Sequence, residues 1–412
     1  MLPCPSPAPL ADTARVDARF IIVLALAHVG AFTAFAPLLS LLVPLKTARV
    51  MPQDSIGLLS LITLCGAGVA SVSNLLAGWM SDRTVSRFGS RRPWIALGLA
   101  GILTAYGLIA TAKSAVTLIG AVMLFQLAFN LMFGPLVAVL ADRVPDAQKG
   151  AVAAFLGLAP PLGALSGVLI TSAAAEGAVL RYILLGAMVS AAVLPLLLTL
   201  RDGPASTPPE QVRTSRLPLT RDFRLCWGSR FCLQISASVV NAYMLFYLVG
   251  FARFEARFPD IPVETGLAAL MALSTVLALV SGFLGGLASD RSARRLAFIA
   301  TAAVLMAAGL AVFALLPTWP GPLIGYALYG AGFGLYTTVD AALVAQVLPS
   351  RRNTARDLGV MNLTNTLPAL LAPLLVLVAL GPARESWGVL MMVVSGLAAL
   401  GGIIVLGIRS VR

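Results

Sequence analysis

The sequence predicts an all-α membrane protein with twelve transmembrane helices, arranged as two pseudo-symmetric six-helix bundles. Three observations carry this prediction: the composition, the length of the apolar stretches and an internal repeat. Of the 412 residues, 59% are hydrophobic and only 11% are charged, and the mean hydropathy is +0.93. A water-soluble domain carries about twice that share of charged residues, so this composition indicates a chain that lies within a lipid bilayer.

The apolar stretches are long enough to cross a bilayer as helices. A helix needs roughly 20 apolar residues to span about 30 Å of hydrocarbon. Spans one to six are predicted at about 20–45, 54–80, 94–112, 115–141, 151–174 and 179–200. Spans seven to twelve are predicted at about 222–250, 264–288, 296–316, 320–347, 357–380 and 387–408.

One polar loop occurs twice and indicates that the two halves are homologous. The segment GWMSDRTVSRFGSRRPWI at 78–95 returns in shortened form as GGLASDRSARRLAFIA at 285–300, with Asp82 and Asp290 matched at an offset of 208. A later match, at an offset of 204, places Phe129 on Phe333. Because each half has an even number of spans, the two copies run parallel, as in transporters built from two bundles.

The repeat also predicts the domain boundaries. We expect an N-terminal six-helix bundle over 1–200 and a C-terminal six-helix bundle over 222–412. The segment between them, 201–221, is polar, bears arginines and is rich in Pro and Ser, which is typical of an interdomain linker.

The basic residues predict the orientation in the membrane. With both termini on one side, 21 of the 29 Lys and Arg residues lie on that side, 7 lie on the other, and Arg230 falls within span seven. Basic loops stay cytoplasmic during insertion, so both termini are expected to be cytoplasmic in a plasma (inner) membrane. The net charge of +12 then reflects orientation and contact with the anionic headgroups of the lipid bilayer, and no nucleic-acid partner is expected.

The repeated loop resembles that of the major facilitator superfamily, whose loop between helices two and three has a G-x-x-x-D-R-x-G-R-R-type signature. More narrowly, SDRTVSRFGSRRPWI is similar to the loop of sucrose:proton symporters and of glycoside-pentoside-hexuronide:cation symporters. WGSRFCLQISASVVNAYMLFYL and TTVDAALVAQVLPSRRNTARDLGVMNLTNTLPALLAP also resemble bacterial members of this group. The resemblance implies the major facilitator fold, a small-molecule substrate, no cofactor and a monomer.

The resemblance also implies a gating role for the repeated loop. In that family a carboxylate and nearby arginines latch the cytoplasmic side against the start of a helix in the other bundle, where the helix dipole is positive. The first loop would meet the start of span eleven, and the second would meet the start of span five near Lys149. The alternative is a solvated basic loop that only sets topology. The latch candidates are Asp82, Arg83, Arg92, Asp290, Arg291, Arg295 and Arg356.

Asp340 is the candidate proton carrier, because it is the only carboxylate well inside a predicted span. An ionisable side chain at mid-depth costs on the order of 3 kcal/mol, so such residues are usually functional. The alternative is a structural ion pair with Arg230, which lies at a similar depth; a pair that breaks on protonation would satisfy both readings. His28, the only histidine, is a secondary proton-coupling candidate or a packing residue.

Neutral polar residues at helical spacing indicate a substrate-binding wall. Amides and hydroxyls can exchange hydrogen bonds with a polyol, and aromatic faces can pack on the C–H surfaces of sugars. The alternative is that these side chains bond one another between helices. The candidates are Gln126, Asn130, Gln234, Ser238, Asn241, Tyr243, Tyr336, Thr337, Asn362 and Asn365.

Three functions remain open from the sequence. The first is import of a neutral sugar or glycoside coupled to protons. The second is export of drugs or amphipathic metabolites, because spans one, two, four and five carry no fixed charge at mid-depth and broad binding needs few such charges. The third is a membrane sensor, although loops of about 20 residues leave no room for a soluble module. An enzyme is not expected, since no Ser/His/Asp set, HExxH motif or nucleotide-binding loop occurs.

Overall fold

The computed structural model describes residues 16–84, 86, 89–145, 148, 152, 155–173, 178–200, 220–292, 294–347, 354–381, 383 and 385–410. Twelve long helices lie within these residues and follow the order of the twelve predicted spans. They are α1 Ala18–Val50, α2 Ser55–Arg83, α3 Arg92–Thr111, α4 Ala115–Arg143, α5 Ala159–Ala173, α6 Ala178–Thr199, α7 Arg221–Phe251, α8 Val263–Ser292, α9 Arg295–Leu315, α10 Gly321–Val347, α11 Thr354–Leu380 and α12 Trp387–Leu406. The all-helical fold class is confirmed.

Ten of the described helices are long and apolar enough to cross a membrane. The other two are α5, whose described part has 15 residues, and α10, whose glycines and tyrosines lower its hydropathy. Several helices run past the predicted ends of their spans: α2 reaches Arg83 and α8 reaches Ser292. A span predicted from hydropathy ends at the first charged residue. The helix itself can continue into the headgroup region, where water solvates charged side chains.

The two halves repeat the same helix packing. In the first half α1 packs on α5 and α6, α2 on α4, and α3 on α4 and α6. In the second half α7 packs on α11, α8 on α10, and α9 on α10 and α12. The halves meet through α2 with α11, α5 with α8, and the end of α1 with α7. The boundaries of the two bundles stay predictions, because the linker 201–219 lies outside the described residues.

The repeat can be followed residue by residue where α2 packs on α4 and where α8 packs on α10. The offsets of 208 and 204 match Gly66 and Gln126 with Ser274 and Gly330. A Cβ atom on Gly66 would lie 3.2 Å from the Gln126 Nε2 atom, and one on Gly330 would lie 2.7 Å from the Ser274 Cα atom. The matched residues therefore meet in both halves.

Both halves also carry a π-helical stretch in their first helix. It covers Leu38–Leu42 in α1 and Tyr247–Phe251 in α7. A π-helical stretch shifts the helical register and is common at functional sites. The stretch in α1 packs on α7 of the other half, so α1 changes register where the halves are in contact.

Candidate functional site

A polar cluster in the second half contains the ionisable pair predicted from the sequence. Arg230 of α7 donates from its Nη1 atom to the Asp340 Oδ2 atom of α10. The two side chains are only 12% and 9% exposed. Asp340 lies seven residues before the end of α10 at Val347, hence about 10 Å along the helix axis. The pair therefore lies inside the helical bundle rather than at its end.

The remaining hydrogen bonds of Arg230 extend this cluster to α11. Its Nε atom donates to the Thr364 Oγ1 atom at 3.0 Å, and its Nη2 atom donates to the Asn365 Oδ1 atom at 3.4 Å. The Gln234 Nε2 atom donates to the same Asn365 oxygen at 2.7 Å. Arg230 and Gln234 share one face of α7 because they are four residues apart. We refer to these five residues as the Asp340–Arg230 cluster.

Two buried polar atoms beside the cluster have no hydrogen-bond partner within the described part of the chain. They are the Gln234 Oε1 atom and the Tyr336 Oη atom, the latter one turn before Asp340. Buried polar groups in proteins are normally satisfied. These atoms are therefore available for a polar ligand or for water.

The other substrate candidates of the second half have different positions. The hydroxyls of Ser238 and Thr337 donate to carbonyls of their own helices, at 2.9 and 3.1 Å. Asn241 is exposed, and Thr337 and Asn365 are exposed as well. The side chain of Asn362 lies outside the described residues.

Gln126 and Asn130 lie in the contact between α4 and α2. The Asn130 Nδ2 atom donates to the Gln126 carbonyl at 2.8 Å, and its Oδ1 atom accepts from Asn74 at 3.2 Å. The Gln126 Oε1 atom is buried without a partner among the described residues. The matched positions of Asn74 and Asn130 in the second half are Gly282 and Gly334. Side-chain amides therefore make the α2–α4 contact, whereas glycines occupy the matched positions of the α8–α10 contact.

The contacts of His28 are with residues of the first half. Its Nδ1 atom is 2.9 Å from the Leu24 carbonyl oxygen, and its ring meets the edge of Phe133, with centroids 6.2 Å apart. The ring is 4% exposed. The structure thus gives His28 the contacts of a packing residue.

Among the described residues, two polar contacts join the halves on one face of the molecule. We call the face at which α1 begins and α12 ends the terminal face, and the other the opposite face. At the opposite face, Arg181 of α6 forms an ion pair with Glu264 of α8, with an Nη2–Oε1 distance of 2.9 Å. The Ser60 and Tyr243 hydroxyls of α2 and α7 are 2.9 Å apart and buried. Tyr243, a substrate candidate in the sequence, therefore makes one of the contacts between the halves at this face.

The latch candidates lie at the terminal face. The side chains of Asp82, Asp290 and Arg356 lie outside the described residues, as does Lys149. Arg83 and Arg291 are exposed and Arg92 is half-buried; the Arg295 Nη1 atom donates to the Ala342 carbonyl at 3.3 Å.

A neighbouring arginine links helix ends beside the first of the two loops. Arg91 forms an ion pair of 3.0 Å with Asp142 at the end of α4, and it also donates to Ser81. Gly89 adopts a φ of 93°, a backbone conformation that favours glycine. The Trp94 Nε1 atom donates to the Thr84 hydroxyl at 2.8 Å and ties the loop to the start of α3.

Sequence reasoning missed several polar residues of these contacts. The sequence assigns Arg181 only to the count of basic residues that predicts orientation, and it assigns no role to Glu264, Ser60 or Thr364. One signal is present in the sequence: Arg181 and Glu264 each lie within four residues of the start of a predicted span, and both spans start at the same face. The missed residues are Ser60, Asn74, Arg91, Asp142, Arg181, Glu264 and Thr364.

Comparison with known proteins gives the same fold. Residues 21–373 match the family model of the Major Facilitator Superfamily. A bacterial homolog of the human lysosomal transporter Spinster, in an inward-facing and unoccupied conformation, is similar with a TM-score of 0.71 and 15% identity over 95% of this chain and 98% of that one. A mutant of the nucleoside transporter NupG has a TM-score of 0.71 and 15% identity, over 94% of this chain and 99% of that one. A POT family transporter bound to a thioalcohol-conjugated peptide has a TM-score of 0.72 and 12% identity, over 94% of this chain and 95% of that one.

Proposed function

Because this chain belongs to the major facilitator superfamily, we propose that it is a secondary active transporter that moves a neutral sugar or glycoside by alternating access coupled to protons. The observation that carries the proposal is the ion pair of Asp340 and Arg230, embedded in a set of amides and hydroxyls. It combines one group able to take up a proton with neutral groups able to bind a polyol.

Protonation of Asp340 would change the whole cluster. A neutral carboxyl no longer balances the charge of Arg230, so the guanidinium must turn to the oxygens of Thr364 and Asn365. The Asn365 oxygen also accepts from Gln234, and a stronger bond to Arg230 competes with that contact. A proton on α10 thereby changes the hydrogen bonds that the amides of α7 and α11 can offer to a substrate.

The charge balance of the cluster favours a neutral substrate. Asp340 and Arg230 neutralise each other, so a bound sugar adds no uncompensated charge to a largely buried site. Exposed groups such as Asn365 and Thr337 can exchange hydrogen bonds with sugar hydroxyls.

The contacts between the halves support alternating access. The Arg181–Glu264 ion pair and the Ser60–Tyr243 hydrogen bond hold the opposite face closed. With both termini cytoplasmic, contacts that close this face belong to an inward-facing state of the transport cycle. Opening the opposite face requires both contacts to break, and the loops that carry Asp82 and Asp290 would then latch the terminal face.

The test is uptake by purified protein in proteoliposomes. Labelled sucrose and maltose are supplied outside under an inward proton gradient, and Asp340→Asn is compared with wild type. We expect sugar to accumulate in wild type, whereas the variant exchanges sugar across the membrane without accumulating it. Absence of uptake for a panel of neutral glycosides, together with gradient-driven expulsion of amphipathic dyes, would identify an exporter and overturn the sugar assignment.

A further inference from the structure

A groove between α3 and α6 lies on the outside of the first half, near the opposite face. Its volume is about 350 Å³. The walls are apolar apart from two tyrosines and a serine. The residues that shape it include Leu103, Tyr106, Gly107, Tyr182, Gly186 and Ser190.

Small residues on both helices create this groove, and a fixed tyrosine keeps it open. No atom lies within 4 Å of the position that a Cβ atom would take on Gly107. Gly186 leaves room for Leu103, whose Cδ2 atom lies 3.0 Å from the corresponding position. The Tyr106 hydroxyl donates to the Ala34 carbonyl of α1 at 2.9 Å, so its ring cannot swing into the space.

The length of the groove suits one leaflet of a bilayer. Its lining on α6 runs from Val179 to Ser190, which is roughly 16 Å at 1.5 Å per residue. Half of a hydrocarbon core of about 30 Å is about 15 Å. One acyl chain therefore fits the groove from the headgroup region to the bilayer centre.

The rim of the groove is positively charged. The Lys46 Nζ atom donates at 2.7 Å to the carbonyl of Ala110, a lining residue. Arg49 follows Lys46 by three residues in the same helical segment, so the two side chains share one face. Arg181, next to the lining residue Tyr182, is paired with Glu264. Within the described residues no carboxylate forms an ion pair with Lys46 or Arg49.

We propose that this groove is a binding site for one anionic phospholipid. One acyl chain fills the space beside Gly107, and the phosphate lies against Lys46 and Arg49 at the rim. A lipid with no net charge gains the apolar contacts but little from the two cations. The site is separate from the Asp340–Arg230 cluster, so the inference does not depend on the substrate or on proton coupling.

Native mass spectrometry of the purified full-length protein tests this proposal. The protein is titrated with phosphatidylglycerol or phosphatidylcholine in the same detergent, and with glycerol 3-phosphate as a headgroup without chains. The first variant is Gly107→Leu, which fills the groove; its control is Gly120→Leu, another helical glycine with no atom within 4 Å of its Cβ position. The second variant is Lys46→Gln/Arg49→Gln, with Lys113→Gln as its control.

We expect wild type and both controls to retain one phosphatidylglycerol in preference to phosphatidylcholine. Binding of phosphatidylglycerol should fall about twenty-five-fold in the double variant, since each cation near a lipid phosphate is worth roughly a factor of five. Gly107→Leu should abolish the retained lipid. Equal retention of the two lipids by wild type, or unchanged retention in either variant, overturns the proposal. Equal binding of glycerol 3-phosphate also overturns it, because the chain would then contribute nothing.

Discussion

Arg181 and Glu264 form an ion pair of 2.9 Å that joins the first half of the molecule to the second at the opposite face. Their side chains are 12% and 14% exposed, so the pair is largely shielded from water. The Ser60–Tyr243 hydrogen bond is a second contact between the halves on the same face. Both contacts must be lost when this face opens, so each contributes to the balance between the two states.

Glu264→Gln is expected to shift the protein toward the state open at the opposite face. Hydrogen bonds to charged groups contribute about 1.5–3 kcal/mol, so the population ratio should change at least tenfold. The measurement is the rate at which a membrane-impermeant maleimide labels Leu267→Cys, a buried position one turn after Glu264 in α8, in a chain without its four native cysteines. Glu255→Gln is the control, because Glu255 is an exposed carboxylate on the same face. Equal labelling rates in the two variants would rule out a gating role for the pair.

Tyr243→Phe and Tyr247→Phe separate gating from stability. Both tyrosines are buried in α7, but Tyr243 bonds Ser60 across the halves, whereas Tyr247 donates to the Phe313 carbonyl of its own half at 2.7 Å. Loss of either hydroxyl should cost about 1 kcal/mol of stability. We expect only Tyr243→Phe to raise maleimide labelling of a cysteine at the opposite face. If Tyr247→Phe raises labelling equally, loosened packing rather than the contact between the halves is responsible.

The Asp340–Arg230 pair should behave as a coupled unit in stability measurements. Asp340→Asn leaves the buried charge of Arg230 without its partner, and Arg230→Gln does the same to Asp340. Each single change is expected to lower the thermal unfolding temperature, with a cost of about 3–5 kcal/mol. The double variant removes both charges and should recover most of that loss. Additive losses in the double-mutant cycle would show that the two residues act independently.

The glycines of α10 set its close approach to α8. A Cβ atom on Gly334 would overlap the backbone of Ala278. We expect Gly334→Ala to cost about 1–3 kcal/mol through overpacking. Gly120→Ala, at a helical glycine with open space around it, should leave the unfolding temperature unchanged or slightly raised. A Gly334→Ala variant as stable as wild type would mean that α8 and α10 can separate without cost.

The helices and the central ion pair could be predicted because their signals are strong in the sequence. A run of roughly 20 apolar residues has one stable form in a bilayer, and an ionisable residue inside such a run needs a partner. Asp340 and Arg230 stood out for that reason, and the structure pairs them.

The contacts between the halves could not be predicted in the same way. Arg181 and Glu264 are 83 residues apart, and only the packing of two whole bundles decides which helix ends meet. The rotation of a helix about its own axis decides where its side chains point, and it is equally hard to predict from the sequence. His28 is a candidate for proton coupling or for packing by its position in the sequence, but the sequence does not fix where its side chain points, and the ring packs against Phe133. Tyr243 is likewise predicted from the sequence to line the substrate cavity. Its contact with Ser60 could not be predicted, because that contact depends on how α2 and α7 meet.

The most direct test of proton coupling through Asp340 is the movement of protons when sugar is added. Wild-type protein and Asp340→Asn are placed in weakly buffered proteoliposomes without a gradient, and the external pH is recorded as a transported sugar is supplied. The account predicts that wild type makes the medium more alkaline in proportion to sugar uptake, and that Asp340→Asn exchanges sugar with no change in pH. Sugar uptake by wild type without proton movement, or an undiminished pH change in the variant, would contradict it.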